Sequence, residues 1–190
     1  MNDVEALARR STVEEQARNA LREHGYALVT EGHMDVVAQA QLGFPNAVAR
    51  LGTACTPDHV HKLFRFTDAV VFSFDGDGAG RRAARKALDA ALPLATDTRS
   101  VKFLFLPPEH DPDSYIKEQG GEAFRELIRR AEGFFDFHLK RLCALHDANT
   151  DLGRKTIVSE MREAVLKTHD RVLLDTYAQK TAQRLGVAAQ

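Results

Sequence analysis

The chain has 190 residues, 44% hydrophobic and 28% charged, a balance that gives a globular domain with an appendage and excludes a mainly disordered chain. Lys and Arg total 26 against 27 Asp and Glu, so the net charge of -1 gives no global attraction to nucleic acid. Any polyanion must be held by a local patch or through metal ions.

The first 30 residues carry charge throughout and leave no secretory h-region, and no run approaches the roughly 18 apolar residues of a membrane span. Ser11 and Glu14 have capping-box spacing, and Val13, Ala17, Ala20 and Leu21 then share a helical face that ends near Gly25. Four β-like runs follow: Tyr26–Thr30, Asn46–Arg50, Ala69–Phe74 and Val101–Leu106. The last two are apolar on both faces, as buried parallel strands are. Helical patterns separate them, over His33–Leu42, Pro57–Phe66 and Ala79–Leu92, the second opened by Thr56 as N-cap and Pro57 at the first helical position. Alternating strand and helix predicts right-handed crossovers and a parallel, doubly wound α/β sheet. After about residue 110 strand signals stop. Helices are predicted over Gly121–Arg130 and Phe134–Leu145, a polar loop over Asp147–Gly153, and two more helices marked by Ile157, Met161 and Val165 and by Leu173, Leu174, Tyr177, Thr181 and Leu185. The organisation expected is a helical lead-in over 1–25, an α/β core over 26–120 and a helical subdomain over 121–190.

In open parallel sheets, ligands bind beyond the carboxyl ends of the strands. Here those ends lead into Glu31-Gly32, into Leu51-Gly52-Thr53-Ala54, into Asp75-Gly76-Asp77-Gly78-Ala79-Gly80, and, after a short proline loop, into Asp111-Pro112-Asp113. Parallel strands would bring these to one edge, and three of the four deliver carboxylates. Two carboxylates about 4 Å apart repel by roughly 4 kcal/mol at an effective dielectric of 20. Such a cluster therefore raises pKa values or gathers divalent cations, and all-oxygen donors suit Mg²⁺ or Mn²⁺ rather than zinc. Mg²⁺ keeps waters that a phosphate can replace, which points to phosphoryl chemistry on a nucleotide or nucleic acid. Arg81, Arg82, Arg85 and Lys86 crowd the start of the next helix, where cations oppose the macrodipole. An anion in front of them would account for this, and so would a solvated helix face.

Other motifs fail. An EF-hand needs an oxygen ligand where Ala79 stands and Glu where Lys86 stands. The glycines do not fit a dinucleotide fingerprint or a P-loop, and there is no nucleophile elbow or zincin helix. Cys55 and Cys143 form no metal-binding pair and fit a reduced, cytoplasmic chain. His59 and His61 read as surface residues, and Phe103, Phe105, Phe134 and Phe135 as packing residues.

An EG turn after one strand and a D-x-D at the end of a later one resemble the TOPRIM domain. The segments from Glu31 through Asp35 to Val37, Leu51–Ala54, Val71–Arg82, and Phe103–Pro107 through Asp113 resemble, in order and approximate spacing, the bacterial replicative DNA primases. The resemblance covers Tyr26 to Leu142 and continues more weakly through the C-terminal helices. It implies a TOPRIM-type fold with a following helical subdomain, Glu31 as general acid/base, Asp75 and Asp77 as metal ligands, and Asp35, Asp111 and Asp113 completing the acidic cluster. The implied reaction is nucleotidyl transfer from nucleoside triphosphates on a single-stranded DNA template with Mg²⁺ or Mn²⁺, and a monomer without membrane attachment is expected. His33 stands where the family usually has tyrosine. The family's zinc-binding domain, basic subdomain and helicase-binding domain have no counterpart in this sequence, so contact with the replicative helicase is expected only through a part absent here. Two other readings stand beside this one: a metal-dependent TOPRIM nuclease, and an inactive remnant or partner-dependent module.

Overall fold

A computed structural model describes residues 18–49 and 55–187. Arg50 and the Leu51–Ala54 motif, the Ser11/Glu14 capping signal and the side chain of His33 lie outside the described features. After a helix seen over residues 18–24 (α1), the chain runs β1 (Ala27–Thr30), α2 (His33–Gln41), β2 (Ala47–Ala49), α3 (Pro57–Leu63), β3 (Ala69–Phe74) and α4 (Gly78–Ala91). It continues through a 3₁₀ turn to β4 (Ser100–Phe105), α5 (Pro112–Gln119), α6 (Gly121–Arg129), β5 (Glu132–Gly133), α7 (Phe134–Leu145), α8 (Asp151–Leu166) and α9 (Arg171–Leu185).

The sheet order is β2-β1-β3-β4-β5, with β1–β4 parallel and β5 antiparallel to β4. The sheet is thus mixed, where the sequence suggested a purely parallel one. The addition is two residues long: Glu132 and Gly133 pair with Phe103 and Lys102. Residues pair in the order Val29↔Phe72 and Phe72↔Phe103, which sets the carboxyl ends of β1, β3 and β4 side by side.

Alternation along the strands divides the core into two faces. Ala27, Val29, Val70, Phe72, Phe74, Val101 and Phe103 join α3, α4 and α7–α9 in one cluster. Leu28, Val71 and Leu104 face the other way, against Phe44, Ile116, Phe124 and Ile128. The near-continuous apolar character of β3 and β4 reflects burial on both sides. Helix α4 fits because Ala84, Ala87, Leu88 and Ala91 all turn inward while the arginines remain outside. The first cluster extends without a break into Leu142, Ile157, Met161 and Leu185 of the C-terminal helices. There Tyr177 stacks on Phe135 at 4.1 Å and meets Phe134 edge-on, and burial pushes its phenol up to about 12. Phe105 is the partly buried member of the four phenylalanines read as packing residues.

Two further differences have local causes. The Asp111-Pro112-Asp113 segment opens a helix, α5, where the sequence pattern assigned no element, because Asp111 caps it and Pro112 occupies its first position. The polar stretch Asp147–Gly153 ends in helix as well. Thr150 accepts from the Gly153 amide at 3.0 Å and starts α8 at Asp151. Among the described residues no helix is long and apolar enough to cross a membrane.

Candidate active site

The carboxyl ends of β1, β3 and β4 each turn into the N-terminus of a helix, and at each turn an aspartate closes the helix start. After β1, Asp35 in the first turn of α2 reaches back so that its Oδ2 accepts from the Gly32 amide at 3.0 Å and from the Thr30 hydroxyl at 3.3 Å. After β3, Asp77 caps α4, its Oδ1 accepting from the Gly80 amide at 2.7 Å. After β4 the chain passes Glu109, at φ 71°, and Asp111 caps α5, its Oδ1 accepting from the Ser114 amide at 2.7 Å. The Ser114 hydroxyl accepts in turn from the Asp111 amide. Each aspartate therefore commits one oxygen to its helix.

Two glycines permit the β3 turn to pack. A Cβ at Gly76 would overlap the Leu106 carbonyl oxygen, and one at Gly80 would overlap the carbonyl oxygen of Asp75. At Gly78 the nearest atom is the mobile end of Arg82, at 3.4 Å. The first and third glycines are thus required by close backbone approach.

Asp75 is half-buried at the centre of this arrangement. Its carboxyl is raised above the ordinary range, first by burial and then by the negative charges of Glu31, Asp77, Asp111 and Asp35. Four acids from three strand exits therefore act on one carboxyl. Asp111 behaves oppositely: the Ser114 amide and hydroxyl, with the charge of Lys117, hold it below the ordinary carboxylate range. Asp113 accepts from Lys117 Nζ at 2.6 Å, one turn along α5. Among the described residues no three acidic, imidazole or thiol groups stand close enough to enclose an ion between them. This is an open rim and not a closed cage, an arrangement compatible with Mg²⁺, which uses one or two carboxylates and takes its remaining ligands from water and phosphates.

The cations after the D-x-D motif divide. The Arg81 guanidinium lies 5.5 Å from the centre of the Phe105 ring, and Phe105 stacks in turn on Phe74 and Phe137. Arg82 leans back over Gly78, while Arg85 and Lys86 are exposed a turn further along α4.

A family model described as Toprim-like matches residues 28–116, a span that includes all three acidic turns. The DNA primase of Neisseria meningitidis serogroup A is 40% identical over 173 residues, covering 90% of this chain and 29% of that protein. A crystal structure of a DNA primase domain from Pseudomonas aeruginosa superposes with a TM-score of 0.86 at 36% identity, covering 92% of this chain and 55% of that one. The chain carries the Toprim core of the DNA primase family. A DnaG primase catalytic domain bound to ssDNA is similar too, with a TM-score of 0.82 at 38% identity over 88% of this chain and 54% of that one. This primase-type core spans under a third of the length of the curated relatives it matches.

Sequence reasoning missed the residues that hold the acids in place. Thr30 and Ser114 each bond an acidic residue, and Lys117 offsets Asp113. A signal existed for Ser114, which stands three residues after an Asp-Pro helix start. Thr30 at the end of an apolar strand gives none.

The raised carboxyl of Asp75 has a consequence for stability. A carboxyl whose folded pKa lies above its unfolded value binds its proton more tightly in the folded state. Its favourable contribution is complete below the unfolded value, 3.8, and is lost as the pH rises through the folded one. At neutral pH, ionised Asp75 therefore costs stability. Asp75→Asn is expected to raise the Tm of the metal-free primase-type core at pH 7, by an amount that solvent screening keeps modest. The gain should shrink as the pH falls toward 4, and thermal melts across pH check it. A lower Tm for the variant at pH 7 would contradict it.

Proposed function

We propose that this rim performs metal-dependent nucleotidyl transfer, the synthesis of RNA primers on single-stranded DNA from nucleoside triphosphates. The observation that carries the reading is the field at Asp75, where four other acids press on a half-buried carboxyl. A divalent cation offsets such a field, and the oxygen-only donor set fits Mg²⁺ or Mn²⁺. Asp75 and Asp77 would hold the metal, beside Asp35 and Asp111, and Asp113 would add its charge at the margin. Metal held there supplies charge neutralisation at phosphate oxygens and eases deprotonation of a bound hydroxyl.

The chain's own groups do the rest. Glu31 is exposed and makes no protein hydrogen bond among the described residues, so its carboxylate is available to accept the proton of a primer 3′-hydroxyl. As that oxygen attacks the α-phosphate, the bond to pyrophosphate breaks. The N-terminal amides of α4 and α5 favour the anionic substrate, and Arg81, Arg82, Arg85 and Lys86 contact phosphate groups of nucleotide or template. Residues 26–120 act as the catalytic unit in this reading and 121–190 as its helical support, in a cytoplasmic replication protein. The solved relative bound to ssDNA supports the choice of template.

Calorimetric titration with Mn²⁺ tests the site. The double variant Asp75→Asn/Asp77→Asn should lose binding by about 100-fold or more, and titrations identical to wild type would overturn the assignment.

A further inference from the structure

From the geometry of the β1 turn we infer that Thr30 is a positioning residue for the acidic rim, an inference that rests on the proposed role of that rim. Thr30 ends β1 with only 2% of its surface exposed, and its hydroxyl donates to Asp35 Oδ2 at 3.3 Å. The Gly32 amide donates to the same oxygen at 3.0 Å. Glu31 lies between these two donors in sequence, so both ends of its short backbone segment are tied to one carboxylate oxygen. Two consequences follow. The turn carrying Glu31 is fixed from both sides without using the Glu31 side chain. Asp35 also spends Oδ2 entirely on the turn, which orients the plane of its carboxylate and leaves Oδ1 as the oxygen available to the rim.

The sheet explains why a hydroxyl is needed at this position. Thr30 lies on the face of Leu28 and Val71, under α2, where an apolar strand end would offer Asp35 nothing. With the hydroxyl removed, a half-buried carboxylate oxygen keeps one donor instead of two and its rotamer is released. Ser73 supplies a comparison on the neighbouring strand. It follows Val71 on the same face of β3 and is 3% exposed, and its hydroxyl has no hydrogen-bond partner among the described residues. It is a buried hydroxyl that hydrogen-bonds to no acid.

Thr30→Val, Thr30→Ser, Ser73→Ala and Asp75→Asn/Asp77→Asn, each in the full chain, provide the test, with Mn²⁺ titration by calorimetry and amide hydrogen exchange at Gly32 as readouts. Thr30→Val should bind Mn²⁺ about 10-fold more weakly and exchange the Gly32 amide faster, while Thr30→Ser restores both and Ser73→Ala changes neither. Thr30→Ala repeats the comparison should the valine variant fail to melt cooperatively. Wild-type affinity and exchange in Thr30→Val, or an equal loss in Ser73→Ala, would overturn the role of Thr30. The double aspartate variant separates the two levels. If it binds Mn²⁺ like wild type, the reading of the rim fails. If it loses binding while Thr30→Val keeps it, only the inference about Thr30 fails.

Discussion

Glu31→Gln is expected to lower primer synthesis by about 10²–10⁴-fold, the range typical for removal of a general base, while weakening Mn²⁺ binding far less, through the loss of one nearby charge rather than of a ligand. The substitution preserves size and removes only the charge and the ability to take a proton. Glu31 sits in the turn after β1, exposed and unbonded among the described residues, so the amide should disturb no internal contact. It is also the strongest of the charges acting on Asp75. Its neutralisation relieves that carboxyl, and the metal-free variant should be no less stable than wild type. The assay is primer formation on a single-stranded template with nucleoside triphosphates and Mn²⁺, with and without a complementing N-terminal primase piece. Equal rates for wild type and Glu31→Gln would remove Glu31 from proton transfer. A loss of metal affinity as large as the loss of rate would make it a ligand instead.

Gly80→Ala is expected to destabilise the chain by about 3 kcal/mol, the upper part of the range for overpacking, and to lower Tm by about 6–12 °C. The added methyl would enter the backbone of Asp75, which cannot rotate away as a side chain can. The same displacement moves Asp75 itself, so Mn²⁺ binding should fall with stability. Gly76→Ala should behave similarly, because its methyl would meet the Leu106 carbonyl at the exit of β4. Gly78→Ala is the contrast within the motif. Only the end of the Arg82 side chain is near, and alanine in the first turn of α4 should stabilise by about 0.5 kcal/mol. Melting curves of the three variants check the ordering, and a Gly80→Ala variant as stable as Gly78→Ala would refute it.

Much of this fold was legible in the chain because its strongest signals are local. Ala69–Phe74 and Val101–Leu106 carry apolar residues on both faces, interrupted only by Ser73 and Lys102, and a strand buried on both sides needs that composition. The acids were legible because they follow such strands directly, so parallel topology alone brings them to one edge. Glu132-Gly133 was not legible: nothing in those two residues favours a strand, and their pairing depends on Lys102 and Phe103, about thirty residues away. Helix α5 was missed although Asp111-Pro112 repeats the N-cap and proline pattern of Thr56-Pro57. Its eight residues are mostly polar and bury little beyond Pro112 and Ile116, so the apolar period that confirms a helix is too short to see. The clasp at Thr30 and the seat of Arg81 on Phe105 depend on side-chain directions, which only the assembled sheet decides.

In the proposed reading, Asp77 and Asp111 each cap a helix and also serve the rim, which would tie catalysis to architecture. An alanine at either position would unpin the opening turn of α4 or α5, at about 1 kcal/mol, as well as deleting a proposed ligand. Asparagine caps as well as aspartate does, so it strips away charge while the scaffold stays in place. A lineage that abandoned the chemistry would still be under pressure to retain a cap at these two sites, and Asn, Ser or Thr there would mark a core that has stopped working on phosphates without having stopped folding.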